Sequence, residues 1–196
     1  MEIIDKNFDV HKKQSLAKLQ DALTKNNVDS MIISLLEKIN FLDSYFTTSS
    51  CAGRIVVLQL PEIGDKKNAT FLGKWHREVS VSEVLSAIKK RKQGQIWLLS
   101  QPPIFHIGCS SLDAAKSLMN IGISCGFKHS GIRSISSQII VELQSTERVD
   151  MPLGDSDGLV VSESSFPFLV RMANDAISRA QKKIKRLDEE IGKPMK

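Results

Sequence analysis

Apolar positions fall at helical spacing in some stretches of the chain and in short β-branched runs in others. Residues 8–26 carry Leu16, Leu19 and Leu23 on one face, which predicts an amphipathic helix. Asp29 stands before Met31, Ile32, Leu35, Leu36 and Ile39, the pattern of an N-capped second helix ending near Asn40. Residues 41–48 read as extended or turn. Residues 54–60 form a strand by β-branched content, 61–68 a polar loop, and 69–75 a strand paired with it. Ser80 and Glu83 make an S-x-x-E capping box. The helix behind it turns Val84, Leu85 and Ile88 inward and ends in a basic run at Gly94. Residues 96–99 are a buried strand, broken by Pro102-Pro103 and resumed over 104–107. Ser111 caps a helix with Ala114, Ala115, Leu118 and Met119 inward, closed by Gly122 to Gly126. Strands follow over 127–134 and 138–143, then a short one over 159–161. A long helix over 168–191 places Leu169, Met172, Ala173, Ala176, Ile177, Ala180, Ile184 and Leu187 inward, with a heavily charged outer face.

This order is not a strict βαβ alternation. It predicts an α+β fold with a mixed β-sheet, flanking helices and a long C-terminal helix, not a doubly wound sheet. The 196 residues suit a single domain spanning 1–196, and the loop at 145–158 is the best seam without being a boundary. The N-terminal residues carry acids early and lack a secretory pattern, and no run reaches the length of a membrane helix, so a cytoplasmic protein is expected. The odd count of three cysteines, Cys51, Cys109 and Cys125, argues for reduced thiols. There is no C-x-x-C, and Cys125-x-x-x-His129 is the single local pair, so small thiols are expected rather than zinc. Net charge is +5, from runs at Lys89-Lys90-Arg91-Lys92 and around Lys182 to Arg186. That excess permits a polyanionic partner without demanding one. One Tyr and two Trp argue against a broad base-stacking platform.

Four motifs can carry chemistry. The stretch from Thr47 to Arg54 (TTSSCAGR) reads as an anion-holding loop, with backbone NH groups at Ala52 and Gly53 and a guanidinium for bidentate pairing. Its plainer reading is a polar turn. Gly73-Lys74-Trp75-His76 offers an aromatic to stack on a purine and an imidazole to move a proton, or else a core Trp at a strand end. Gln101 to Ile107 re-aims His106 beside a proline-broken strand, or is an edge strand. Gly126 to Arg133 contains Ser130 and Gly131, where a close backbone approach or a tight turn is expected. The chain has no G-x-G-x-x-G, no P-loop, no HExxH and no GxSxG, which disfavours the common nucleotide-dependent folds.

Taken in order, Ile39-Asn40, Tyr45 to Arg54, Lys74-Trp75-His76, Pro102 to His106 and Gly126 to Ile132 resemble the tRNA wybutosine-synthesising protein 3 family in its short archaeal form. The resemblance runs from about Asp29 to Asn174. It departs at Ala52, where Ser is expected, and at Asn27, where Gly is expected. It implies a methyltransferase that uses S-adenosyl-L-methionine (SAM) and methylates N4 of a demethylwyosine-type base beside the anticodon of tRNA(Phe). It further implies an unusual α+β fold, in agreement with the missing glycine-rich motif. Carried over by position, it makes Ser49, Ser50, Cys51, Gly53, Arg54, Ser130 and Gly131 cofactor-binding. Lys74, Trp75, Arg133 and Asn174 become substrate-binding, and His76 and His106 catalytic, with no metal. The anion held near Arg54 is then either the SAM carboxylate or the amino-carboxypropyl chain of the substrate. The alternatives are a non-catalytic RNA-binding module and a small-molecule-binding protein that uses the Ser/Thr loop as its anion site.

Overall fold

A computed structural model describes residues 3–65 and 67–193 of the chain. The helices are α1 (Phe8–Thr24), α2 (Ile33–Phe41), α3 (Val81–Ile88), α4 (Leu112–Ser124) and α5 (Phe166–Ile191). The strands are β1 (Tyr45–Cys51), β2 (Arg54–Leu60), β3 (Thr70–Trp75), β4 (Gln95–Gln101), β5 (Ile104–Cys109), β6 (Gly131–Ile135), β7 (Ile139–Gln144), β8 (Val149–Asp155) and β9 (Gly158–Leu159). The chain divides into two compact units: Met1–Ala52, Pro103–Thr146 and Gln181–Lys196 in the first, Gly53–Pro102 and Glu147–Ala180 in the second.

The first unit holds a four-stranded sheet in the order β1-β5-β7-β6. Its strands alternate as a half-covered sheet requires. In β7 the odd positions Ile139, Val141 and Leu143 are buried and the even ones are not. Phe105 and Ile107 of β5 join them in a core shared with Leu35 and Ile39 of α2, Leu118 of α4, and Ile184, Leu187 and Ile191 of α5. The opposite face is partly covered by α1. Phe8 packs on Phe46 with ring centroids 5.2 Å apart, and the Phe46 ring lies directly over Gly108. A Cβ at residue 108 would sit 2.2 Å from that ring, so this crossing needs glycine. Phe8 is the one buried residue of α1, while Leu16 of the expected inner face is 38% exposed.

The second unit holds a five-stranded sheet in the order β3-β2-β4-β8-β9. Ile55, Val57, Ile96 and Leu98 face a core completed by Val84 and Ile88 of α3 and by Phe166, Val170, Ala173 and Ile177 of α5. The helix α5 therefore carries one apolar stripe that serves each unit in turn. The stripe includes Phe166 and Val170, whereas Leu169 and Met172 of the expected face are only half-buried.

The α+β class and the long C-terminal helix agree with expectation. The expected mixed sheet is instead two sheets whose described pairings are all antiparallel. The helices α3 and α4 do return parallel strands, β4 after β3 and β6 after β5, but β2 and β7 lie between the members of each pair, so every hydrogen-bonded neighbour is antiparallel. The expected loop at 145–158 contains the strand β8. Its Pro152 needs no ladder donor there, because β9 pairs only with Gly154 and Asp155 and leaves Pro152 on an open edge.

The capping box of α3 is formed, with Ser80 Oγ accepting from Glu83 N and Ser80 N donating to Glu83 Oε2 at 2.8 Å. Glu83 is also gripped by Arg77, whose Nη2 donates to Oε1 at 2.7 Å. Hydrogen bonds from Arg77 and from the Ser80 backbone pull the Glu83 carboxyl down from 4.5 to about 2. A depressed folded value means the carboxylate stabilises the fold above its ordinary value and loses that contribution as pH falls toward 2. Glu83→Gln should thus lower the denaturation midpoint at pH 7 relative to the parent protein. The gap should close between pH 4.5 and about 2; a gap that persists at pH 2 would rule out the ionised pair as its cause.

Candidate functional site

Of the expected anion-holding loop Thr47 to Arg54, residues 47–51 lie in the strand Tyr45–Cys51. Tyr45, Phe46 and Thr47 are buried and pull the segment into the sheet beside β5. Asn40, near the end of α2, fixes the strand's start. Its Oδ1 accepts from Thr47 N and its Nδ2 donates to Thr47 Oγ1, both at 2.8 Å. Asp29 fixes the other end, its Oδ2 accepting from Ala52 N at 2.8 Å. Asp29 makes no side-chain cap of the turn that follows it. It is spent on the turn after β1 instead, and a substitution at position 52 leaves this backbone contact in place.

Pinned in this way, β1 carries a bulge. Thr47 pairs with Ile107 and Ser49 with His106, so Thr48 is the extra residue. Thr48 Oγ1 donates to the His106 carbonyl at 3.1 Å. The bulge brings Ser49 Oγ to 2.7 Å from His106 Nδ1. On the other side of the ring, His106 Nε2 lies 2.7 Å from Glu142 Oε2. Arg133 Nε approaches the same oxygen at 3.3 Å. A chain Ser49–His106–Glu142–Arg133 thus crosses all four strands on the face turned away from the core.

The partners fix the tautomer. An ionised carboxylate only accepts, so His106 Nε2 carries the proton toward Glu142. Nδ1 is then an acceptor, and Ser49 donates its hydroxyl proton to it. In this state Ser49 Oγ has open lone pairs and a base behind it. The arrangement can take a proton from a nitrogen or oxygen placed against Ser49 and pass charge to an imidazole that Glu142 steadies. Beside it, Ser50 Oγ is buried and, among the described residues, has no hydrogen-bond partner. Buried hydroxyls are rarely left so.

Glu142 was absent from the sequence reading. Its signal is an acidic residue between two apolar positions of a strand, which must face away from the core. The register that sets it opposite His106 cannot be read from spacing alone. Ser130 and Gly131 lie at the β6 end. Ser130 Oγ donates to Phe127 O and accepts from Gln144 N at 3.3 Å, which closes the turn into β6. Gly131 pairs with Glu142, and a Cβ there would meet nothing within 4 Å, so the expected close backbone approach is not made by this chain itself. Cys51 is half-buried at the end of β1. Burial pushes the Cys109 thiol up to about 12 and also raises Cys125, so these two stay protonated.

The second unit carries the rest of the expected residues. Gly53 has φ 84°, a left-handed turn that admits glycine readily. Arg54 opens β2. Its Nε donates to Gln101 Oε1 at 2.6 Å and its guanidinium stacks 5.3 Å from the Phe71 ring centroid. Among the described residues its two Nη groups make no hydrogen bond. Lys74 is exposed on β3. The Trp75 ring folds back over Gly73, where a Cβ would come within 2.1 Å of it, and packs at the edge of the core. His76 follows, half-buried. Asn174 is occupied elsewhere: its Oδ1 accepts from Val79 N at 2.9 Å and its Nδ2 donates to Val79 O at 2.8 Å. That clamp ties α5 to the entry of α3 and uses both ends of the amide.

A family profile described as Methyltransferase TYW3 matches residues 10–193. The chain belongs to this family. Among curated relatives, it is 50% identical over 194 residues to a Thermococcus sibiricus protein, covering 98% of each chain. It is 52% identical over 186 residues to a Pyrococcus furiosus protein, covering 94% of this chain and 95% of the relative. Both relatives are named tRNA(Phe) 7-((3-amino-3-carboxypropyl)-4-demethylwyosine(37)-N(4))-methyltransferase, the second with the suffix 1. The solved structure of the PH1069 protein from Pyrococcus horikoshii superposes with a TM-score of 0.93 at 50% identity, over 96% of this chain and 98% of that one. A hypothetical protein from Aeropyrum pernix superposes at 0.74 with 27% identity, over 83% and 96%. This chain has neither a doubly wound sheet among the described residues nor a glycine-rich phosphate motif. Among the described residues no helix is long and apolar enough to cross a membrane.

Proposed function

We propose that this chain methylates N4 of a demethylwyosine-type guanosine next to the anticodon of tRNA(Phe), with SAM as donor, as one catalytic domain in the cytoplasm of an archaeon. The naming of its relatives supports the substrate. The continuous family match through both units supports a single working domain. The observation that carries the chemistry is the Ser49–His106–Glu142 chain.

The hydroxyls and cations present fit a ligand such as SAM. Ser50 Oγ is a buried polar atom waiting for a partner, and Arg54 holds two open Nη groups suited to a carboxylate. Both match the chemistry of an amino-acid ligand, whether it is the donor's own or the amino-carboxypropyl arm of the base. Bound SAM supplies a methyl carbon activated by sulfonium. The protein's task is then orientation and proton removal. The C–S bond of the donor would break as the N–C bond forms, with S-adenosylhomocysteine as the leaving group, and the target nitrogen would lose its proton. Ser49 Oγ accepts it and gives its own proton to His106 Nδ1, and Glu142 stabilises the imidazolium. We assign the base to His106 because its ring nitrogens lie 2.7 Å from Ser49 Oγ and 2.7 Å from Glu142 Oε2, in one hydrogen-bonded chain. The exposed run Lys89 to Lys92 attracts the phosphates.

The test is transfer of labelled methyl from SAM to tRNA(Phe) isolated from cells blocked at this step. Label should appear at N4 of the modified base, and Arg54→Ala should weaken ligand binding about 10- to 100-fold, the range of a lost charge-assisted contact. Binding of tRNA without transfer would favour a non-catalytic RNA-binding module. Binding of neither SAM nor tRNA by a folded protein would favour the small-molecule reading.

A further inference from the structure

The second sheet has one face packed on its core and one that is not. Leu58 and Leu60 of β2, Phe71 of β3, and Trp97 and Leu99 of β4 line a groove of about 540 Å3 on the open face. Phe71 is 49% exposed and Ile63 on the rim is 74% exposed. Single exposed apolar side chains are ordinary, but a continuous aromatic groove on a basic protein is not.

Two guanidinium groups stand at one end of this groove. At one end stands Arg54, stacked on Phe71 and tied through Nε to Gln101. Arg148 lines the same end, with Nε 2.8 Å from Asp150 Oδ2. At the other end β2 runs out at Leu60, and Lys92 N donates to the Gln59 side chain at 2.8 Å. Gln59 alternates with Leu58 and Leu60, so this bond holds the backbone of the exposed lysine run at that strand end but on the opposite face of the sheet. Leu60 lies six residues beyond Arg54, about 20 Å of strand. The guanidinium groups thus stand at one end of an aromatic floor.

We infer that this groove takes an unpaired base of the RNA substrate, stacked on Phe71 and Trp97, with a flanking phosphate on Arg148. The inference rests on the reading of the chain as an RNA-modifying enzyme and names the surface that reads single-strandedness. In a duplex the faces of each base are covered by its neighbours, so only a looped-out or unpaired base can lie on the floor. Stacking of this kind tolerates any base, because every base has a π-face. The scarcity of Trp and Tyr argues against a broad platform, and this one is narrow: two rings and their aliphatic rim.

Trp97 reports directly on the groove. In a Trp75→Phe protein it is the sole tryptophan. A short single-stranded RNA with the anticodon-loop sequence should quench its emission, and the same sequence annealed to its complement should not. Phe71→Leu keeps bulk but removes the ring, and should raise the Kd for single-stranded RNA about tenfold. Phe71 is half exposed, so this variant should fold, which a thermal melt checks. Arg148→Ala should weaken binding and flatten its salt dependence. RNA that is retained on a filter without quenching Trp97 overturns the inference, as does equal quenching by duplex. Quenching by S-adenosylhomocysteine alone would hand the groove to the methyl donor and also overturn it. Methyl transfer by the parent protein is read separately. Transfer with no quenching sinks this inference and spares the proposed function; quenching with no transfer does the reverse.

Discussion

Replacing His106 by alanine is expected to lower single-turnover methyl transfer about 10²- to 10⁴-fold, the range that a positioned general base contributes. That loss equals roughly 3–5 kcal/mol of barrier. The imidazole sits between Ser49 and Glu142, 2.7 Å from each, so its removal breaks the relay at its centre. Affinity for tRNA should change little, because the ring faces a proton and not a phosphate. Glu142→Gln sharpens the test. A glutamine amide can donate to Nε2, which would place the imidazole proton on Nδ1, facing Ser49. The hydroxyl would then lose its acceptor while the strand pairing stays intact. Its transfer rate should fall between that of the parent and that of His106→Ala, with a changed pH profile, and the ¹⁵N shifts of His106 should report the switched tautomer. Arg133→Ala should matter less, since that side chain is 64% exposed and its ion pair is weak. If His106→Ala turns over normally while His76→Ala does not, the base is His76 and the relay is structural.

Much of the architecture was legible because local signals agreed with the fold. The capping box at Ser80, the N-cap at Ser111, the β-branched run of β2 and the paired prolines between β4 and β5 each specify their own geometry. The segments that misled are those whose structure comes from partners distant in sequence. Residues 45–51 are rich in Ser and Thr, and the sequence reads as extended or turn to Thr48 and as a polar loop from Thr47 to Arg54. They form a strand because buried Tyr45 and Phe46 anchor one end and Asn40 and Asp29 hold the backbone. Residues 149–155 contain a proline and two aspartates, and pair with β4 only because tertiary register allows it. The site divides the same way. Ser49 and His106 were visible as residue types in a motif, but their contact depends on a bulge that no spacing rule predicts. Glu142 depends on register across β5 and β7. Asn174 was read as a substrate contact, and the structure gives its amide to Val79 instead.

Phe105→Ala is expected to destabilise the fold by about 3–5 kcal/mol, as deletion of a fully buried ring does. Phe105 is 0% exposed and meets Phe127 edge-to-face, with centroids 5.8 Å apart and planes at 65°. The neighbours that would have to collapse into the space belong to a sheet and to helices α2, α4 and α5, each held by its own pairing or packing. The cavity will therefore persist, and the cost should lie nearer the upper end of the range. For a chain of this length the melting temperature should drop by about 6–20 °C, taking roughly 2–4 °C per kcal/mol. Phe105→Leu, which refills most of the volume, should recover more than half of the loss. The variant also separates packing from chemistry. Phe105 points into the core and His106, the next residue, points to the relay, because successive side chains of a strand face opposite ways. At a temperature where both proteins are folded, Phe105→Leu should keep its transfer rate within a few-fold while its denaturation midpoint falls. A leucine variant that is fully stable yet as slow as His106→Ala would mean that the core ring, and not the bulge in β1, aims the imidazole.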